Sequence, residues 1–206
     1  MIKYLVLLLL ISVTLFLSSC GKDYTTEELD YIKTIQDSRN EKDSIFKNEP
    51  SSPFNFKGKV EFHPLNYFDI DPEFVLQSKL YDYDTKDTVS IFGTKGEERS
   101  SVRYGYLKLK YKGTEFDLNV YETIYQDTLK YYSIWFTDET TNEETYGVGR
   151  YINIDRDENP DHIYKIDFNM AYNPYCAYTS SYSCAIPTKE DHIAVAIKAG
   201  EKKFHD

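Results

Sequence analysis

The sequence predicts a mainly β fold, a single β-sandwich or partly open β-barrel domain preceded by an N-terminal amphipathic helix. Three observations lead there. Twenty tyrosines and twelve phenylalanines in 206 residues favour strands, because aromatic rings pack well on a pleated, half-buried surface. From Phe54 onward, short runs with an apolar–polar period of two are cut by turn residues. No helical pattern alternates with those runs and no internal repeat is visible, which argues against a parallel α/β architecture.

The first element is a leader. Lys3 is followed by an apolar run over residues 4–17, shorter than the roughly 20 residues needed to cross a bilayer. The run ends in Leu17-Ser18-Ser19-Cys20, which resembles the lipobox of bacterial lipoproteins. That resemblance implies cleavage after residue 19, a thioether-linked diacylglycerol on Cys20 and acylation, typically by palmitate, of the new amine. Residues 1–19 are therefore expected to be a signal peptide. The mature chain is expected in the cell envelope, lipid-anchored to a bacterial membrane, with Gly21 pointing to the outer membrane. Transfer of acyl chains is worth about 0.8 kcal/mol per methylene, so two or three chains hold firmly.

Residues 20–53 read as a polar tether carrying the helix. Thr25 with Glu28 three residues on is a capping box, and Leu29, Ile32 and Ile35 follow at helical spacing. The helix should run to about Lys47 and stop at Glu49-Pro50-Ser51-Ser52-Pro53, its apolar stripe docked on the domain that follows.

Residues 54–206 form the β-rich domain. Strands are expected over 58–63, 74–83 and 88–92. The clearest hairpin alternates Leu107, Leu109 and Tyr111 with Lys108 and Lys110, turns at Lys112-Gly113, and returns through Phe116, Leu118 and Val120 with Asp117 and Asn119 outward. Residues 131–136 are almost wholly apolar and predict a central strand covered on both faces. A polar turn over 138–144 and strands over 147–154, 163–168 and 193–199 complete eight or nine strands.

Charge and cysteine usage narrow the partners. With 24 Lys+Arg against 34 Asp+Glu the net charge is −10, and an acidic surface repels phosphate backbones, so nucleic acid is not an expected partner. Nothing resembles a basic patch, so the lipid alone must hold the membrane. Of the three cysteines, Cys176 and Cys184 remain after Cys20. Outside the cytoplasm such a pair is expected as a disulfide closing a short loop, worth about 2–3 kcal/mol. A thiolate metal site and two free thiols are the alternatives, though the spacing is not that of a zinc site.

Standard catalytic motifs are absent: no G-x-S-x-G, no H-E-x-x-H and no phosphate-cradling glycine loop. Gly93-Thr94-Lys95-Gly96 reads as a hairpin loop. His63, His162, His192 and His205 are scattered without ligand spacing, so neither a metal nor a cofactor is expected. The richest polar cluster is Arg150, Asp167, Asn169, Tyr172 and Asn173. If 163–168 lies beside the strand of Arg150, Asp167 meets Arg150 in a bidentate pair. The cluster then either ties an irregular loop to the sheet, or forms a small ligand pocket walled by Tyr146, Tyr172 and Tyr178. A carboxylate pair such as Asp167 and Glu201 would give it acid–base capacity.

Several stretches carry a resemblance: Trp135-Phe136-Thr137-Asp138, residues 144–151, Asp167-Phe168-Asn169, Ala171-Tyr172-Asn173-Pro174 with Cys176-Ala177-Tyr178, Cys184, Pro187 and Ala199-Gly200-Glu201. Together they are similar to the domain-of-unknown-function family 1684 of bacteria and archaea, over about Ser52 to Lys202. The resemblance implies no assigned activity. The chain departs from the family pattern in having Ala185 where Pro often follows the second cysteine, and Asp191-His192 where Asn-Arg is common. Members without export signals keep the cysteine pair, which leaves a reactive or packed-thiol role open. The expectation from the sequence is thus a cell-envelope lipoprotein whose β-domain binds a small ligand or an envelope protein partner without catalysis. The alternatives are an envelope hydrolase using carboxylates of the Tyr-rich cluster and a purely structural component.

Overall fold

The computed structural model describes residues 22–56, 60–125 and 128–205. The leader and Cys20 lie outside the described residues. Helix α1 spans Thr26–Asn48, and its N-terminus is closed as the sequence implies. The Thr25 hydroxyl accepts from the Glu28 N–H at 3.2 Å, while the Glu28 carboxylate accepts from the Thr25 N–H at 2.8 Å. The docking face differs from the expected stripe. Leu29 is 54% exposed, whereas Ile35, Arg39 and Phe46 are buried and Tyr31 and Lys42 are half-buried. Residues 31, 35, 39, 42 and 46 share one face at i+3 and i+4 spacing, so the helix docks through a mixed aromatic–cationic stripe.

Among the described residues nine strands follow: β1 Val75–Ser78, β2 Leu80–Asp82, β3 Thr88–Phe92, β4 Glu98–Tyr111, β5 Thr114–Tyr125, β6 Leu129–Asp138, β7 Arg150–Ile154, β8 Tyr164–Asp167 and β9 His192–Ile193. The main sheet has the order β2-β4-β5-β6-β7, with β3 also on β4 and β9 parallel to the end of β6. A separate ribbon pairs β1 with β8. The chain forms a two-layered β structure, and no closed barrel is present among the described residues. The expected strand at 74–83 breaks at Lys79, its first half joining the ribbon and its second half the main sheet.

The β4–β5 hairpin has the register its alternation requires, with Leu107 opposite Leu118, Lys108 opposite Asp117 and Lys110 opposite Glu115. Lys112 and Gly113 both have positive φ, 45° and 87°, the combination a two-residue hairpin turn demands. One expectation there is corrected. Asn119 is buried, not solvent-facing, because residues 188–193 fold over it and Asp191 accepts its amide at 2.8 Å.

The main core lies between one face of the main sheet and the ribbon. It includes Leu107, Leu118, Val120, Ile134, Phe136, Ile152, Ile166 and Phe168, joined by Ile197 and Ala199 of the C-terminal segment. An aromatic cluster under α1 joins Phe46, Phe54, Leu65, Tyr178 and Phe204. On the other face of the main sheet, Tyr121 stacks on Trp135 at 4.5 Å beside Ile91 and Ala185.

Three further expectations are revised. β6 is covered on both faces only at residues 134–136, for Tyr131 is 52% exposed. Residues 60–63 form no strand. The expected strand 193–199 is reduced to β9; beyond it the backbone is irregular, and its carbonyls serve Arg150 instead of a neighbouring strand.

Candidate functional site

The residues singled out in the sequence separate into three groups. Arg150, at the start of β7, is 1% exposed. Its Nη2 lies 2.7 Å from Asp138 Oδ2 and donates to the Ile197 carbonyl at 2.8 Å, while Nη1 donates to the carbonyls of Ala199 and Glu201. Burial lowers the pKa of this guanidinium and the Asp138 carboxylate opposes that shift. The expected Arg150–Asp167 pair does not form, because β8 pairs with β1 and not with β7. Arg150 instead fastens the end of β6 to the C-terminal segment, the structural role among the readings above.

Asp167 and Asn169 form the second group. Asp167 caps the turn Phe168–Met170 through the Asn169 N–H at 2.9 Å and accepts the Tyr31 hydroxyl of α1 at 2.8 Å. The Asn169 side chain spends both amide hydrogens and its oxygen on Tyr31, Asp167 and the Asp71 backbone. These residues tie α1 to the ribbon.

Tyr172, Asn173, Tyr178 and Glu201 form the third. Glu201 is 1% exposed. It accepts from the Asn173 N–H at 2.9 Å and the Tyr178 hydroxyl at 2.5 Å, and it forms an ion pair with Lys42 of α1. Asn173 also donates to the Lys202 carbonyl at 2.7 Å. The Tyr172 hydroxyl donates to Asn153 at 2.8 Å, and burial pushes its pKa up to about 12. Asp167 and Glu201 are thus both engaged in holding the helix and the C-terminus. Tyr146 stands apart at the cysteine loop, donating to the Cys176 carbonyl at 3.3 Å. Cys176 and Cys184 are brought together as two free thiols, with the Cys176 N–H 3.1 Å from Cys184 Sγ.

Two of the open clefts lie where the second and third groups meet α1. A cleft of about 170 Å³ is lined by Arg39, Lys42, Tyr67, Tyr172 and Glu201, among others. A second of about 530 Å³ lies on the other side of Arg39 and Tyr67, bounded by Tyr24, Ile32 and Phe68. The Arg39 guanidinium stacks over the Tyr67 ring at 4.3 Å, so this pair is the wall shared by both clefts. Arg39 Nη1 donates to the Phe68 carbonyl at 2.9 Å and Nη2 to the Asn169 carbonyl at 3.3 Å. Arg39 Nε and the Tyr67 hydroxyl are buried with no hydrogen-bond partner among the described residues. Burial lowers the Arg39 pKa and raises that of Tyr67, where the Glu201 carboxylate adds to the rise. An unpaired buried donor costs about 1–3 kcal/mol, so the wall holds donor capacity that the fold itself leaves unused.

Sequence reading missed Arg39, Lys42 and Tyr67. The available signal was their register: Arg39 and Lys42 share the helix face of Tyr31, Ile35 and Phe46, and a cation on a docking face needs a reason to be there.

Among the described residues no three His, Cys, Asp or Glu side chains group closely enough to hold a metal ion. No curated protein matches this chain. Among solved structures, the solution NMR structure of an uncharacterized protein from Haloarcula marismortui (gene locus rrnAC0354) is similar. It shares 27% sequence identity and a TM-score of 0.63, over 85% of this chain and 96% of that one. A family model described as Protein of unknown function (DUF1684) matches residues 60–202, most of the β-domain and all three polar groups described above, and the chain belongs to that family.

Proposed function

We propose that this chain is a lipid-anchored cell-envelope protein whose β-domain binds a small oxygen-bearing molecule in the groove between α1 and residues 66–70. The observation that carries the ligand reading is the shared wall, with Arg39 Nε and the Tyr67 hydroxyl both buried and both unpaired. Two unused donors on one wall suit an acceptor oxygen, such as one end of a carboxylate or the oxygens of a hydroxy acid. Reaching them from either cleft requires the Arg39–Tyr67 stack and the Arg39 bonds to the Phe68 and Asn169 carbonyls to shift. The smaller cleft accommodates a molecule of a few heavy atoms, and the larger falls in the size range of ordinary ligand pockets. Lys42 and Glu201 at the cleft edge then set orientation, because their mutual ion pair leaves little net charge to attract bulk ions. The hydrolase alternative has no comparable support, since both of its carboxylates are committed to the fold.

The anchor rests on Leu17-Ser18-Ser19-Cys20. Labelled palmitate should appear on the expressed protein and vanish in Cys20→Ser. For the ligand, native mass spectrometry of protein released from its own membrane should retain a small adduct. That adduct should disappear in Tyr67→Phe and in Arg39→Gln variants shown to be folded. An adduct unaffected by both substitutions would place binding elsewhere.

A further inference from the structure

Cys176 and Cys184 occupy unequal positions at one spot. Cys176 sits on the turn Tyr175–Ala177 and is half-buried, while Cys184 is buried. The Cys184 sulfur accepts the Cys176 N–H at 3.1 Å, and the Tyr146 hydroxyl donates to the Cys176 carbonyl at 3.3 Å. The frame around them is rigid. Thr94 is bonded to the Cys184 backbone through both its N–H, 3.0 Å from the carbonyl, and its hydroxyl, 3.2 Å from the Cys184 nitrogen. Inside the loop, Tyr178 is locked among Phe46, Phe54 and Phe204. Around the pair the surface is mixed: Tyr175 is exposed next to Cys176, Phe92 and Ile186, joined by a 2.9 Å backbone bond, are exposed beyond Cys184, and Lys95, Glu97 and Arg99 bond to Ser181 and Ser183 beside it.

We infer that Cys176 and Cys184 form a thiol–disulfide exchange site that accepts a peptide disulfide, with Cys176 as the attacking sulfur and Cys184 as the resolving one. This goes beyond the groove under α1 and does not depend on it. The two thiols are held at one spot by the Cys176 N–H to Cys184 sulfur bond, and the half-buried Cys176 is the one an incoming disulfide can reach. A permanent staple does not need the asymmetry.

In the first step the Cys176 thiolate attacks one sulfur of the peptide disulfide. The old S–S bond breaks, and one peptide leaves as a thiolate that takes up a proton. Cys184 then loses its proton and attacks the Cys176 sulfur of the mixed disulfide. The Cys176–Cys184 bond forms and the second peptide thiol leaves. Two electrons and two protons pass from the dithiol to the peptide disulfide. The order follows from exposure, Cys176 being half-buried and Cys184 buried, and charge agrees with it. The Cys184 thiol and the surrounding hydroxyls lower the Cys176 pKa to about 7, and the bond from Cys184 that steadies this thiolate raises the pKa of Cys184 itself. Once Cys176 is in a mixed disulfide its negative charge is gone, and Cys184 is free to ionise.

The test uses the full chain reduced with dithiothreitol, exposed to oxidised glutathione, quenched with N-ethylmaleimide and mapped by peptide mass. In the unsubstituted protein a Cys176–Cys184 disulfide should form without lasting glutathione, and dithiothreitol should reverse it. Cys184→Ser should stop at one glutathione on Cys176, and Cys176→Ser should leave Cys184 unmodified. Glutathione appearing first on Cys184, a stable adduct on the unsubstituted protein, or a pair that neither oxidises nor reduces in the folded state overturns the assignment. If either serine variant loses the folded Trp135 fluorescence, alkylation of the native unsubstituted protein by iodoacetamide decides. Cys176 should react about tenfold or more faster than Cys184 near pH 7, with a rate that half-saturates near that pH. Equal or reversed rates overturn it.

Discussion

The Arg150–Asp138 pair gives the sharpest test of the structural reading, through the substitution Asp138→Asn. Both side chains are 1% exposed. Asp138 Oδ1 accepts the Thr140 N–H at 2.7 Å and its hydroxyl at 2.6 Å, contacts that the asparagine oxygen can keep. What changes is Oδ2, now an amide nitrogen facing Arg150 Nη2 at 2.7 Å, donor against donor. The guanidinium would keep its carbonyl partners in the C-terminal segment but lose its only paired carboxylate. The nearby Glu201 is already held by Lys42. Stranding a buried charge in this way costs about 3–5 kcal/mol. For a domain of this size that lowers Tm by about 6–20 °C. Urea and thermal unfolding followed by Trp135 fluorescence and circular dichroism measure it. The double variant Asp138→Leu with Arg150→Met removes both charges and should lose less than Asp138→Asn alone. A loss below about 1 kcal/mol for Asp138→Asn, or a double variant worse than the single one, refutes the claim that this pair locks β6 to the C-terminus.

Three other outcomes follow from the same structure. Gly200 has φ +75°, and a Cβ there would lie 2.5 Å from the Ala171 carbonyl oxygen and 2.7 Å from that of Phe168. Gly200→Ala should cost at least about 2–3 kcal/mol, while Gly113→Ala, with open space at the hairpin tip, should cost only about 1–2 kcal/mol; paired urea titrations compare them. Phe46→Ala should destabilise by about 3–5 kcal/mol because it empties the aromatic cluster under α1, whereas Leu29→Ala should stay within about 0.5 kcal/mol. Burial pushes the Glu122 carboxyl up, but the hydrogen bonds from Tyr132 and Lys130 outweigh it and the net pKa is lowered. Its stabilising contribution is therefore full above the ordinary carboxyl pKa and lost as pH falls through the folded-state value. Between about pH 6 and pH 3 the unfolding midpoint should fall more steeply for the unsubstituted protein than for Tyr132→Phe, and parallel slopes would contradict this.

What could be read from the sequence was set by local chemistry. The capping box of α1 needs only Thr25 and Glu28, and the β4–β5 hairpin needs only its alternation and Lys112-Gly113. Both were legible because their partners are close in sequence. The docking face of α1 was not. Arg39 and Lys42 count as polar in any apolar-stripe reading, yet their charged ends lie over aromatic rings and find carbonyls and a carboxylate far along the chain. Asn119 was misplaced for a similar reason, since the cover over it comes from residue 191. The Arg150 partner was misassigned because proximity in sequence was taken for adjacency in the sheet. β8 leaves the main sheet for a strand some ninety residues earlier, and only the topology reveals Asp138 as the counter-ion. The polar residues that the sequence gathers around the cysteine loop fall into three groups in the fold. Their role in holding the C-terminal segment became clear only from their buried contacts with residues 197–202.

The claim at the centre of this account is that Arg39 and Tyr67 wait for an acceptor oxygen. The Arg39 Nε–H gives its own signal in a proton–nitrogen correlation spectrum, and a panel of short carboxylates and hydroxy acids can be titrated against it. At least one should shift that signal saturably, with the response abolished in Tyr67→Phe and the Arg150 signal unmoved. An Arg39 signal that stays fixed across the panel, or that moves only together with Arg150, would contradict the account.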